Sequence, residues 1–176
     1  MATLKKTDNS RTNFYNHSLY KIDFPMSFLS SSPEETISFG IQLSAFLEKG
    51  CIAALKGVLG SGKTCLIKGL AKGLCIEEEI TSPSYTIVNE YQGILKNREK
   101  VTVYHIDAYR LCGNEDFSAI GGEEIVFGNA ISLIEWSERI PSFIPDNSLK
   151  IDIFINDDEK RRIDVHKWEK NEHSCS

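Results

Sequence analysis

The sequence predicts an α/β domain in which helices flank a mixed central β-sheet and a β-hairpin closes the C-terminal end. Three observations carry this. A short apolar run, CIAALKG (51–57), leads directly into a glycine-rich turn and then a helical pattern, the strand–turn–helix order of an α/β unit. Further β-rich runs, VTVYHIDAY (101–109) and ISLIEW (131–136), are separated by loop and short helical segments. LKIDIFIN (149–156) and RRIDVHKW (161–168) alternate apolar and polar residues around Asp157-Asp158, as a terminal hairpin does. A chain of 176 residues suits one ordinary domain. We bound it at 27–170, with a flexible extension at 1–26 and a tail at 171–176.

Taken in order, residues 1–25 are rich in Lys, Thr, Asn and Ser and show no sustained period, with a short strand expected around Leu19–Phe24. Ser32-Pro33-Glu34-Glu35 is a helix start: Ser32 as N-cap, Pro33 at the first helical position, Glu35 completing a capping box. Ile37, Ile41 and Ala45 then recur as an apolar stripe, and Lys49-Gly50 is the expected stop. After strand 51–57 a second helix runs from Thr64 to about Leu74, and Pro83 interrupts the loop beyond it. TIVNEY (86–91) pairs with 101–109 across a polar turn through Gln92-Gly93 and Lys96–Lys100. Residues 115–129 read as loop and short helix broken at Gly121-Gly122.

Composition narrows the function classes. Hydrophobic residues at 41% and charged residues at 26% are globular values, and a net charge of −5 lacks the basic excess of a protein that grips nucleic acid by itself. No run approaches the roughly 18 consecutive apolar residues of a membrane span. The start, MATLKKTDNSRTN, has no apolar segment behind its charges, so no secretory signal is read. Five cysteines without a C-x-x-C pair argue for reduced thiols in a cytoplasm, and against a disulfide frame or zinc site.

GVLGSGKT, Gly57 to Thr64, fits G-x-x-x-x-G-K-[ST] at every fixed position. This makes the domain P-loop NTPase-like, because the glycines let several backbone N–H groups converge on one anion. The following helix aims its positive end at the same point. Lys63 adds a charge for outer phosphates, and the Thr64 hydroxyl can ligand Mg²⁺. Two carboxylates stand where strand ends could deliver them to that site, Asp107 after VTVYHI and Glu135 closing ISLIE. Each is either a partner for metal and water or a solvated strand-end acid.

Four segments in order, GVLGSGKTCLIKGLAKGL, TSPSYTIVNEY, VYHIDAYRL and SLIEWSE, resemble the TsaE (YjeE) family of small bacterial P-loop ATPases, whose pattern runs roughly GDLGAGKT, SPTF, HxDxYR and EWP. The resemblance spans about residues 32–165. It implies ATP and Mg²⁺ as ligands and a role in tRNA threonylcarbamoyladenosine biosynthesis. The implied partners are TsaB and TsaD, which transfer a threonylcarbamoyl group to an adenosine beside the anticodon, so tRNA is met indirectly, through the complex. It further implies Gly60, Ser61, Gly62, Lys63 and Thr64 as the phosphate cradle, Thr64 and Glu135 as metal ligands, and Lys63, Asp107 and Glu135 as catalytic residues. Thr81 to Tyr85 corresponds to a switch segment beside the γ-phosphate; by its residues alone it is an ordinary Pro-containing turn. The family's N-terminal strand covers the adenine face, which brings in Leu29, and Arg162 beside Arg161 either approaches the nucleotide or is an exposed pair.

Three departures stand out. Val58 replaces the acid of GDLG, Ser84-Tyr85 replaces Thr-Phe with hydroxyl and ring retained, and Ser137 replaces a Pro, which is expected to loosen that turn. His105 reads as a polar strand residue ahead of a catalytic base, Cys65 as a packed thiol ahead of a reactive one at a helix N-terminus, and Arg110 as the partner of a neighbouring acid ahead of an in-cis arginine finger. TSPSY has the short polar character of a loop that orders on assembly. The rival readings are a small-molecule kinase, for which no Arg-rich lid insertion is seen, and a nucleotide-gated binding module.

Overall fold

In the computed structural model, which describes residues 24–167, seven strands form one sheet in the order β1-β7-β6-β2-β5-β4-β3. The strands are β1 (Met26–Ser30), β2 (Ile52–Lys56), β3 (Val88–Ile94), β4 (Lys100–Asp107), β5 (Ile131–Glu135), β6 (Leu149–Ile155) and β7 (Arg161–Lys167). The helices are α1 (Pro33–Leu43), α2 (Lys63–Gly73), α3 (Asn114–Ala119) and α4 (Gly122–Val126). The inner strands β6, β2, β5 and β4 run parallel, whereas β3, β7 and β1 join antiparallel. The mixed sheet and terminal hairpin are therefore as the sequence predicts. Most of the extension, the tail and residues 19–23 of the expected first strand lie outside the described residues. Among the described residues no helix is long and apolar enough to cross a membrane.

The β2 burial pattern explains its unbroken apolar run: Ile52 to Leu55 are all buried, because the strand has a neighbour on each side and a packed layer on each face. One layer, under α1 and α2, gathers Leu43, Leu55, Leu66, Leu70, Val103, Leu133 and Ile151. The other, under α3 and α4, gathers Ile52, Ala54, Ile106, Phe117 and Ile134. The break between those two short helices falls at Gly121, whose φ of +80° suits glycine.

The N-terminus of α1 forms as its residues dictate. Ser32 Oγ accepts from the Glu35 N–H at 3.2 Å, and the Glu35 carboxylate reaches back to the Ser31 N–H at 2.8 Å. Three boundaries or faces differ from expectation. The buried face of α1 is Thr36, Phe39, Gly40 and Leu43, while Ile41 of the expected stripe is 39% exposed. The helix stops at Leu43 rather than Lys49, as Ser44 Oγ bonds back to the Ile41 carbonyl at 2.7 Å and a 3-10 turn follows. Strand β3 starts at Val88, after a left-handed Ile87, and runs through Gln92-Gly93 to Ile94, so the polar turn begins only at Leu95.

The face of α1 was set by glycine, which apolar periodicity does not register. Gly40 lies against α2, where an added Cβ would stand 2.6 Å from the Leu66 carbonyl oxygen and 2.9 Å from Gly69 Cα. The two backbones touch along the body of α2. Gly40→Ala should therefore destabilise the fold by about 2–3 kcal/mol through overpacking. Urea unfolding checks this, and an unchanged midpoint would contradict the tight crossing.

Candidate active site

The site assembles at the C-terminal ends of the parallel strands, where open α/β sheets present their ligand chemistry. The loop after β2 carries Gly57, Gly60 and Gly62, all at positive φ. Gly57 is the most constrained, since a Cβ there would stand 2.6 Å from both the Ile153 carbonyl oxygen and Ser61 Oγ. Gly62 is the N-cap of α2, with no side chain capping the helix, so its first N–H groups lack a side-chain acceptor and present an anion-binding end.

Lys63 opens that helix and is 4% exposed, with Nζ donating to the carbonyls of Gly57 at 2.8 Å and Val58 at 3.1 Å and lying 3.8 Å over the Trp136 ring. Burial pushes its ammonium below the usual lysine range, while Glu135, Glu138 and Asp107 pull it back up. The cation thus has neutral acceptors at its tip and acids at longer range, an arrangement that an entering anion would relieve. Thr64, next along, donates its hydroxyl hydrogen to Glu135 Oε1 at 2.8 Å. That leaves the lone pairs on Oγ1 free to ligate.

Parallel pairing sets the two acids side by side, Asp107 opposite Glu135 on β4 and β5. Both are buried, at 4% and 3% exposure, so neither is a solvated strand-end acid. Glu135 Oε1 accepts from Thr64 and also lies 2.9 Å from Nε2 of His105, which is wholly buried. Asp107 faces the 81–85 loop: Ser82 and Ser84 donate to its Oδ2 at 2.7 and 2.9 Å, and Oδ1 takes the Tyr109 N–H at 3.1 Å. The loop therefore finds hydrogen-bond partners within the single chain.

Other residues resolve against expectation. Arg110 stacks on the Tyr85 ring at 4.4 Å and pairs with no acid among the described residues. Ser137 does not loosen its turn; buried, it donates to the Leu55 carbonyl at 3.3 Å and ties the end of β5 to β2. Arg161, not Arg162, reaches the phosphate loop, through the Gly60 carbonyl at 3.4 Å. Arg162 pairs with Asp164 at 3.2 Å and lies over Phe154, because neighbouring residues of a strand point to opposite faces. Leu29 is 52% exposed beside Arg162 in the β1–β7 ladder, whereas Phe28 turns inward to stack on Phe39. Burial raises the Cys65 thiol above its ordinary range, consistent with a packed cysteine.

The residues fit a polyphosphate with a hard cation. Three buried side-chain atoms among the described residues have no hydrogen-bond partner, Ser61 Oγ, His105 Nδ1 and Ser148 Oγ; the first lies in the glycine loop and the second beside Glu135. A hydroxyl and a carboxylate oxygen are the donors magnesium prefers. His105, read from the sequence chiefly as a polar strand residue, is brought into the site. Its signals were its place as the histidine of HxDxYR and its spacing, two before Asp107, which puts both on the α2 side of the sheet.

Fold and site together define a P-loop α/β domain. Residues 30–163 match the family described as "Threonylcarbamoyl adenosine biosynthesis protein TsaE", and the chain belongs to that family. It is 41% identical over 140 residues to the Treponema pallidum tRNA threonylcarbamoyladenosine biosynthesis protein TsaE, covering 80% of this chain and 99% of that one. The Bacillus subtilis protein of the same description is 35% identical over 132 residues, 75% of this chain and 79% of that one. The crystal structure of Bacillus subtilis YdiB superposes with a TM-score of 0.65 at 31% identity, covering 81% of this chain and 84% of that one.

The loop attachment is open to test. Each hydroxyl–carboxylate bond contributes about 1.5–3 kcal/mol, so Ser82→Ala with Ser84→Ala should release the segment. Amide exchange at Ile87 and Asp107, whose N–H groups bond to Pro83 and Ile87 carbonyls, should quicken at least about tenfold. Unchanged exchange would mean that the loop is held by something else.

Proposed function

We propose that the chain is a Mg²⁺-dependent ATPase that serves tRNA threonylcarbamoyladenosine biosynthesis in the cytoplasm, acting with a TsaB–TsaD pair. The observation that carries the nucleotide reading is the Thr64–Glu135 bond, which brings a ligand hydroxyl and a buried carboxylate together at the start of α2, beside a buried Lys63. The pathway and partners rest on the family to which the chain belongs.

In this reading the N–H groups around Gly60, Ser61 and Gly62 bind the phosphates, and the Ser61 hydroxyl gains the partner it lacks. Lys63 exchanges its two carbonyl acceptors for phosphate oxygens, a charge-assisted contact roughly twice as strong as a neutral one. Thr64 Oγ1 and the Glu135 carboxylate would hold magnesium, which when bound supplies positive charge to the outer phosphates. Asp107 keeps the 81–85 loop against the site and helps orient water for in-line attack, since positioning dominates phosphoryl transfer. A net charge of −5 argues that tRNA is presented by the partners.

Steady-state hydrolysis by the full chain tests the proposal. With Mg²⁺ and ATP the chain alone should turn over slowly, and titration with the TsaB–TsaD pair should raise the rate at least tenfold, about 1.4 kcal/mol of barrier. Lys63→Met should be inactive in both conditions while folding normally. A flat titration alongside demonstrated binding would contradict partner activation, and phosphate appearing on a small-molecule acceptor would make the protein a kinase.

A further inference from the structure

We infer that His105 is a positioning residue for the metal-holding carboxylate: through Nε2–H it fixes Glu135, and through Glu135 it sets the direction of the Thr64 hydroxyl. The inference rests on the nucleotide reading above. Its ground is the shared oxygen. Glu135 Oε1 takes one hydrogen from Thr64 on α2 at 2.8 Å and a second bond from His105 on β4 at 2.9 Å. Among the described residues no hydrogen bond engages Oε2. The ring comes from two residues back along the ladder, on the same face, since His105 pairs with Leu133 and Asp107 pairs with Glu135. Two donors from two elements leave the carboxylate no rotation that keeps both bonds.

The hydrogen on the ring is placed by the same contacts. An ionised carboxylate only accepts, so Nε2 donates. Nδ1 is buried with no hydrogen-bond partner among the described residues. A residue serving only to fill this wholly buried position would be better apolar, because an apolar side chain leaves no orphaned nitrogen. What the imidazole adds is the bond to Glu135. That bond keeps Oε1 turned toward Thr64, so the Thr64 hydrogen stays committed to Glu135 and its lone pairs stay directed away from it. Outer partners of this kind commonly change metal affinity by about 10–100-fold when removed.

Calorimetric titration of the full-length protein with ATP, in Mg²⁺ and in EDTA, tests this. His105→Phe fills the space without a donor and should raise the Mg²⁺ concentration for half-maximal ATP binding at least tenfold, with affinity in EDTA changed less than twofold. His105→Gln, which returns an N–H donor, should recover most of the Mg²⁺ response. Should the Phe variant not fold, the wild-type protein still decides: the imidazole ¹⁵N resonances of His105 should move with Mg²⁺ and ATP together, and not with ATP in EDTA. An unchanged Mg²⁺ requirement in a folded His105→Phe, or ring resonances indifferent to Mg²⁺, would overturn the role of His105 while leaving the nucleotide reading intact. Failure of the wild type to bind ATP in a Mg²⁺-dependent way would overturn both.

Discussion

One carboxylate oxygen holds the functional end of this protein together. Glu135 Oε1 receives Thr64 from the first turn of α2 and His105 from β4, so a helix end and two parallel strand ends meet at a single buried acceptor. On its far side α2 is fixed by backbone contact with α1 at Gly40 and Gly69. The glycine loop is strung between β2 and α2, and its shape follows from where those two ends are held. Asp107, beside Glu135 in the ladder, does the same for the 81–85 loop through Ser82 and Ser84. Adjacent acids on adjacent strands thus anchor the two loops that border the site.

Lys63 is a buried cation held by backbone carbonyls, with no salt-bridged acid among the described residues. Burying an ammonium against carbonyls is unfavourable unless acids or an anion compensate, and burial does depress its ionisation. The loop tolerates this because its own backbone supplies the acceptors, Gly57 and Val58. Val58, where the family pattern has an acid, contributes its carbonyl, while its side chain is 61% exposed. The missing carboxylate therefore leaves no gap in the packing around Lys63.

Much of this was legible in the sequence, for physical reasons that also explain the rest. The strand–glycine loop–helix unit, Thr64 included, is fixed by residue type at fixed spacing, and Asp107 and Glu135 were candidates as acids at strand ends beside it, with their roles implied by the family resemblance. The capping box was legible because its partners lie within one turn. What escaped depends on contacts between distant segments. His105 became a site residue only through the register of β4 on β5 and a diagonal reach to Glu135. The face of α1 was decided by Gly40, which carries no hydrophobic signal, and Ile41 was left half in solvent. Arg161 and Arg162 are indistinguishable by type, and only the parity of β7 sends one to Gly60 and the other to Asp164. Ser137 read as a looser turn because its acceptor, Leu55, lies on another strand.

In the proposed function, residues 57–64 with Glu135 seat a magnesium–nucleotide pair. A crystal structure of the full chain grown with Mg²⁺ and a non-hydrolysable ATP analogue tests it most directly. The phosphates should lie inside the glycine loop, with Lys63 Nζ moved from the Gly57 and Val58 carbonyls onto phosphate oxygen, and the metal on Thr64 Oγ1 with Glu135 beside it. Nucleotide bound elsewhere, or Lys63 still on its two carbonyls in a nucleotide-loaded crystal, would contradict it.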